Sequence, residues 1–219
     1  MVASSFSAMK ILLASGNAKK LNELRSILDA YSLPVQVLSP ADLELNPDDL
    51  RDADEKPISI EETGTTFAEN ALIKAQGFHR ACGIPCVSDD SGLSVEALNG
   101  EPGVYSARYG GPGLNDSQRN DLLLQKLEAM KEPGQRKAYF SCVLCLVGFP
   151  GQKPQYFEGR VDGHIARTPA GEGGFGYDPV FIEESTGQCF AEISPETKAS
   201  LSHRGQALKS LALFLKKKL

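Results

Sequence analysis

Apolar positions along this chain fall into short runs separated by polar stretches rich in Gly and Pro. Residues 10–14 form a short apolar strand that ends at Ser15-Gly16-Asn17. Leu21, Leu24, Leu28 and Tyr31 then recur at helical spacing and predict a helix directly after that loop. Residues 35–38 read as a second strand. Residues 40–59 are acidic, carry three prolines and show no period, which predicts a surface loop with one helical turn. Thr66-Phe67-Ala68-Glu69 has the spacing of a capping box and opens a helix that ends at Gly83. Residues 84–88 form a strand running into Asp89-Asp90-Ser91-Gly92, where Gly92 lets the chain turn away. Leu123, Leu127 and Met130 carry a helix over 115–131, stopped by Pro133-Gly134. Residues 137–148 and 155–161 pair as a hairpin across Pro150-Gly151. A glycine-rich loop over 163–179 precedes a short strand at 180–182. The last helix, 205–217, has Leu208, Leu211 and Leu215 on one face. Strands interleaved with helices around a central hairpin predict an α/β fold with a mixed sheet. There is no internal repeat and no low-complexity segment.

Composition narrows the class. A chain of 219 residues, 41% hydrophobic and 23% charged, suits one soluble domain and excludes a disordered chain, a fibre and a membrane-embedded protein. The net charge of −5 argues against a nucleic-acid binder, which needs a basic face. The charge is uneven: residues 41–69 carry ten acids and two bases, whereas 197–219 carry six bases and no acid. Five cysteines at irregular spacing suit a reducing cytoplasm better than a disulfide framework. Cys142 and Cys145 have CxxC spacing, but residues three apart on a strand point to opposite faces, so they read as small core residues. Residues 1–8 lack the marks of a signal peptide and read as a disordered or leader segment. No apolar stretch is long enough to span a membrane.

Five segments carry chemistry. Ser15-Gly16-Asn17-Ala18-Lys19-Lys20 follows a strand and opens a helix, where backbone N–H groups and the helix dipole favour an anion. Taken alone the signal is weak, and an ordinary cap with solvated lysines is the alternative. Asp89 and Asp90 are adjacent carboxylates that repel each other unless a positive charge lies beside them. A divalent metal answers that need, and Mg²⁺ in particular takes one or two carboxylates plus phosphate oxygens; a surface turn is the alternative. Glu62, Glu69, Asn70 and Lys74 gather around one helix start and suit a metal and its phosphates, although the capping box already accounts for Glu69. Gly173-Gly174-Phe175-Gly176-Tyr177-Asp178 interleaves glycines with aromatics, as a pocket wall with a stacking ring would, and Ser202-His203-Arg204-Gly205 presents a donor pair at a helix start. A linker and a solvated helix start are the respective alternatives.

In this order, these segments together with Pro102-Gly103-Val104-Tyr105-Ser106-Ala107-Arg108-Tyr109 resemble the inosine/xanthosine triphosphate pyrophosphatase family across about residues 9–215. Two departures are the leader and an acidic 46–59 stretch longer than the family's usual loop. The resemblance implies a single domain over 9–219: an elongated mixed central sheet flanked by helices, in two lobes with a cleft between them. It implies a cytoplasmic homodimer that binds neither nucleic acid nor membrane. It also implies hydrolysis of ITP, dITP, XTP and dXTP to the monophosphate and pyrophosphate with Mg²⁺, keeping these nucleotides out of DNA and RNA precursor pools. Carried over, Asp90 is the catalytic carboxylate and Glu62, Asp89 and Asp90 hold the metal. Ser15, Gly16, Asn17, Ala18, Lys19, Lys20 and Lys74 hold the triphosphate. Ser91, Phe175, Gly176, Tyr177, Asp178, Lys198, His203 and Arg204 line the nucleoside pocket. A binding regulator without turnover, a general phosphatase and an interaction protein are the rival classes. The adjacent carboxylates and the aromatic glycine loop count against the first and the last.

Overall fold

The first apolar run forms the strand expected of it. In the computed structural model, which describes residues 8–219, β1 is Met9–Leu13, and Asn17 caps helix α1 (Ala18–Ala30). Strand β2 is Val35–Leu38, α2 is Phe67–Cys82 and β5 is Cys86–Val95. Between β2 and α2 lie two short strands, β3 (Leu50–Arg51) and β4 (Pro57–Ile58), paired antiparallel. Helix α3 is Asp116–Lys126. Strands β6 (Lys137–Val147), β7 (Gln155–Ile165) and β8 (Phe181–Glu183) follow, then α4 (Pro195–Leu201) and α5 (His203–Lys218).

Six strands form one sheet in the order β2-β1-β5-β6-β7-β8. It is mixed, as expected: β1 runs parallel to β2 and β5, and β7 runs antiparallel to β8. From β1 the chain crosses through α1 to β2 on one side, then returns through α2 to β5 on the other. Right-handed crossovers in opposite directions place α1 and α2 on opposite faces of the sheet. The strand order therefore reverses at β1, and ligands of open α/β sheets bind beyond the carboxyl ends of strands at such a point.

The chain divides into two compact units. The first comprises the described residues up to Asp90 with Val143–Phe157 and Ala207–Leu219. Its core joins Leu12, Leu38, Phe78 and Cys86 to Leu50 and Ile58. Ala71 and Ala75 of α2 pack on Cys145 and Val147, small side chains that let helix and sheet approach closely. The second comprises Ser91–Cys142 and Glu158–Gln206. Its core gathers Leu93, Leu123, Leu127, Phe140, Phe181 and Phe190.

Several expectations need correction. Asp89-Asp90-Ser91-Gly92 is not a turn after a strand: β5 runs straight through it. The segment continues a strand that β1 pairs at Cys86 and Val87 and that has β6 as its other neighbour, and this sheet context overrides the turn preference of Asp and Gly. Residues 40–59 are not merely a surface loop, because Leu50 and Ile58 are buried. Helix α3 ends five residues before the expected stop, β7 extends past 161, and α4 was unforeseen. None of the five cysteines forms a disulfide, and Cys142 and Cys145 are fully buried, as core residues would be. No helix among the described residues is long and apolar enough to cross a membrane. The leader expected at 1–8 lies, apart from Ala8, outside the described residues.

Candidate active site

The first unit collects the charged residues near the carboxyl end of β1. The register pairs Leu13 with Val87, and the Ala14 N–H donates to the Val87 carbonyl at 2.8 Å. Asp89 and Asp90 follow immediately on β5. Successive side chains of a strand point to opposite faces, so each carboxylate meets a lysine from a different helix. Lys20 of α1 reaches Asp89 Oδ1 at 2.8 Å. Lys74 of α2 lies 3.3 Å from Asp90 Oδ1 and 2.7 Å from Glu62 Oε1. The repulsion between adjacent carboxylates is thus met by two ammonium groups, and the solvated-lysine reading of Lys20 fails.

Local structure fixes these groups. The Asn17 carboxamide accepts from the Lys19 and Lys20 backbone N–H groups, at 2.9 and 3.4 Å, and the Ser15 hydroxyl accepts from the Asn17 N–H at 3.2 Å. That capping aims the first turn of α1, with Gly16 and Ala18 on either side of the cap. The capping box forms as expected: Thr66 Oγ1 accepts from the Glu69 N–H, and Glu69 Oε2 accepts from the Thr66 N–H. Glu69 is thereby committed to the helix start. Asn70 is fully buried, donates to Asp90 Oδ2 at 3.2 Å and accepts from the Gly64 N–H at 2.8 Å. A Cβ at Gly64 would come within 2.6 Å of the Asn70 oxygen, so only glycine allows that approach.

Burial pushes the Asp90 carboxyl above its ordinary range; the Lys74 charge opposes the shift and Glu62 adds to it. Burial alone would lower Lys74, but Asp90, Asp89 and Glu62 together outweigh it and hold its ammonium above the ordinary lysine range.

The second unit holds the aromatic group. Phe175 keeps 39% of its surface exposed, whereas Tyr177 is buried and its hydroxyl donates to the Ser106 carbonyl at 2.9 Å. The glycine loop is no free linker. Gly173 N–H donates to Ala191 O, Ala170 N–H to Pro179 O and Ala191 N–H to Asp178 O. Buried Asp178 accepts from the Phe175 N–H at 2.7 Å and pairs with Lys198. Lys198 Nζ and Arg204 Cζ lie 5.2 and 5.7 Å from the Phe175 ring centre, within cation–π range. His203 stacks on Phe140 at 4.7 Å. Both His203 and Arg204 are buried, which removes the reading of a solvated helix start. Ser91 lies on β5 in this unit, half-buried.

The structure therefore gathers Ser15, Gly16, Asn17, Ala18, Lys19, Lys20, Glu62, Lys74, Asp89 and Asp90 in one unit. Ser91, Phe175, Gly176, Tyr177, Asp178, Lys198, His203 and Arg204 belong to the other. Sequence reasoning missed two side chains that grip the glycine loop, Asp116 and Asn120 of α3. Their i,i+4 spacing on one helix face was the available signal.

Residues 11–214 match the model of the Ham1 family. The chain is 47% identical over 208 residues to the dITP/XTP pyrophosphatase of Corynebacterium glutamicum, covering 93% of this chain and 95% of that one. It is 45% identical to the dITP/XTP pyrophosphatase of Thermus thermophilus, covering 93% and 90%. Among solved structures, it resembles a HAM1 protein from Coxiella burnetii with a TM-score of 0.83 and 38% identity, over 95% of this chain and 99% of that one.

Proposed function

This chain belongs to the Ham1 family, and from that premise we propose that it hydrolyses non-standard purine nucleoside triphosphates to the monophosphate and pyrophosphate. The substrates are dITP and XTP, with ITP and dXTP, and the role is to keep them out of DNA and RNA precursor pools. The observation that carries this reading is the acid–lysine cluster just beyond the carboxyl end of β1.

Water attack on a phosphorus of a triphosphate asks little covalent chemistry of a protein; it asks for positioning and charge. Asp90 accepts the proton of the attacking water. Its burial makes its carboxylate a stronger base than an exposed aspartate, and Asn70 fixes the orientation of that carboxylate. Lys20 and Lys74 exchange their carboxylate partners for phosphate oxygens, joined by the capped loop from Ser15 to Lys19.

Glu62 and Asp90 both reach one cation, the Lys74 ammonium, so their oxygens converge as a divalent-ion site requires. Among the described residues no set of three or more His, Cys, Asp and Glu side chains is arranged to hold a metal. A sparse, hard-oxygen donor set fits Mg²⁺, which keeps waters and takes the rest of its ligands from phosphates. Of the three carboxylates expected to ligate it, Glu62 and Asp90 would hold the ion, which would neutralise phosphate charge, whereas Asp89 faces Lys20 on the other side of β5.

Phe175 offers its exposed face to the purine. Lys198, Asp178 and Tyr177 support that face, and Ser91 and Gly176 complete the nucleoside pocket. His203 and Arg204 donate to the 6-keto oxygen of hypoxanthine or xanthine. Adenine places a donor there, and facing donors leave buried groups unpaired. The working form is a cytoplasmic homodimer that engages neither nucleic acid nor membrane.

Hydrolysis of dITP in heavy-oxygen water tests this reading. Attack at the α-phosphorus places the label in dIMP and releases unlabelled pyrophosphate. Label in pyrophosphate, or release of orthophosphate, overturns it.

A further inference from the structure

Phe175 presents a stacking surface only if its backbone is held, and the chain around it resists order. Gly174 and Gly176 adopt left-handed φ values of +75° and +61°, and glycines carry the largest entropy of ordering. Phe175 N–H is taken by Asp178 at 2.7 Å. On the other side of the ring, both polar atoms of residue 176 are taken by one helix. Gly176 N–H donates to Asp116 Oδ2 at 2.8 Å, and Asn120 Nδ2 donates to the Gly176 carbonyl at 3.0 Å. Asp116 and Asn120 are four residues apart, so they stand one above the other on α3.

The helix that makes this grip is itself fixed. Asn115 closes a capping box with Gln118 at its start. Beyond its end, the buried Arg136 guanidinium donates to Leu127 O at 2.7 Å and Met130 O at 3.2 Å, and also to Ile165 O and Ala166 O. Leu123 of the same helix lies in the core of the second unit. Asn120 is 4% exposed, and its Oδ1 meets no donor among the described residues. An unmet acceptor costs the fold free energy that an apolar side chain would avoid, so packing alone gives no reason for an amide here.

We propose that Asn120, assisted by Asp116, is a positioning residue that clamps the Gly176 peptide and so sets the Phe175 ring for stacking on the purine. This rests on the reading of Phe175 as the surface that meets the base. Neither side chain touches the substrate; both act through Phe175.

The test is a double-mutant cycle on the full-length enzyme, read as KM and kcat for dITP and as inhibition by inorganic tripolyphosphate, which carries no base. Asn120→Ala should raise KM for dITP about tenfold with kcat within about threefold, the scale of one lost hydrogen bond that serves binding. Asp116→Ala, on an exposed side chain, should raise it about threefold by the same route. Tripolyphosphate inhibition should not change in either variant. In a Phe175→Ala background, either substitution should add little, because the ring it positions is gone. Two results overturn the proposal: weaker tripolyphosphate inhibition in step with KM, or effects that add in full to that of Phe175→Ala. If Asn120→Ala does not fold, the cycle with Asp116→Ala decides. If Phe175→Ala alone leaves KM for dITP unchanged, the stacking reading itself fails and takes the proposal with it. An effect of Phe175→Ala without one of Asn120→Ala or Asp116→Ala sinks only the clamp.

Discussion

Replacing Asp90 by asparagine separates catalysis from stability, and the structure gives the size of each. The amide matches the carboxylate in volume, so no cavity opens. Asp90 Oδ2 accepts from Asn70 and Oδ1 accepts from Lys74. An amide has one acceptor oxygen and one donor NH₂, so one of those two donors would face another donor, at about 1–3 kcal/mol. Against that, burial disfavours the ionised carboxylate, and the substitution removes this charge. The cluster of Glu62, Asp89 and Asp90 with Lys20 and Lys74 passes from a formal −1 to zero. The two contributions oppose, so the fold should change by no more than about 2 kcal/mol. On the role proposed for Asp90, turnover would lose its base and a metal ligand and should fall ~10²-fold or more, equivalent to about 2.7 kcal/mol of barrier. The assay is pyrophosphate release from dITP at saturating Mg²⁺, beside thermal melts with and without Mg²⁺. The wild-type Tm should rise on adding Mg²⁺ and that of Asp90→Asn should rise less. A folded variant with kcat within about threefold of wild type would refute the assignment of the base.

Other expectations follow from the same geometry. Lys20→Ala should raise KM for the triphosphate and weaken the dependence of activity on salt, since one charge aimed at phosphate is gone; an unchanged KM at low salt would leave Lys20 as a partner of Asp89 alone. Glu183 is buried and accepts from the Ser185 and Thr186 N–H groups at 2.9 Å and from the Ser185 hydroxyl at 2.7 Å. Burial pushes its carboxyl up, but these hydrogen bonds together hold it below the ordinary glutamate value of 4.5. Its contribution to stability is therefore full above about pH 4.5 and lost as pH falls through the folded value. Melts from pH 6 to pH 3 should show wild type and Glu183→Gln converging on acidification, and a gap independent of pH would contradict this.

What the sequence disclosed was local. The strand, loop and helix from Met9 to Ala30 follow from an apolar run, a Gly-Asn break and helical periodicity, all within one stretch of chain. The capping box at Thr66 and Glu69 is readable for the same reason. What it hid depends on distant partners. Nothing between Asp89 and Gly92 announces a strand; its place in the sheet, between β1 and β6 in the strand order, makes it one. Leu50 and Ile58 sit in an acidic, proline-bearing stretch, and only the Leu50–Ile58 pairing and the core beside Phe78 turn them inward. Helix α3 stops at Lys126, and the Leu127 and Met130 carbonyls beyond its end accept from Arg136, a partner the local sequence does not reveal. The residues of the acid–lysine cluster could be named from sequence, but not which lysine meets which acid. That assignment comes from α1 and α2 lying on opposite faces. The Asn120 bond spans 56 positions and leaves no mark on either segment alone.

One comparison decides whether this enzyme removes non-standard purine nucleotides: kcat/KM for dITP, XTP, GTP and ATP under Mg²⁺, with pyrophosphate and orthophosphate both measured. A site whose donors His203 and Arg204 meet a 6-keto oxygen should favour dITP and XTP over ATP by up to ~10⁴-fold, with pyrophosphate as the product. Equal values for dITP and ATP, or orthophosphate in place of pyrophosphate, would contradict the account.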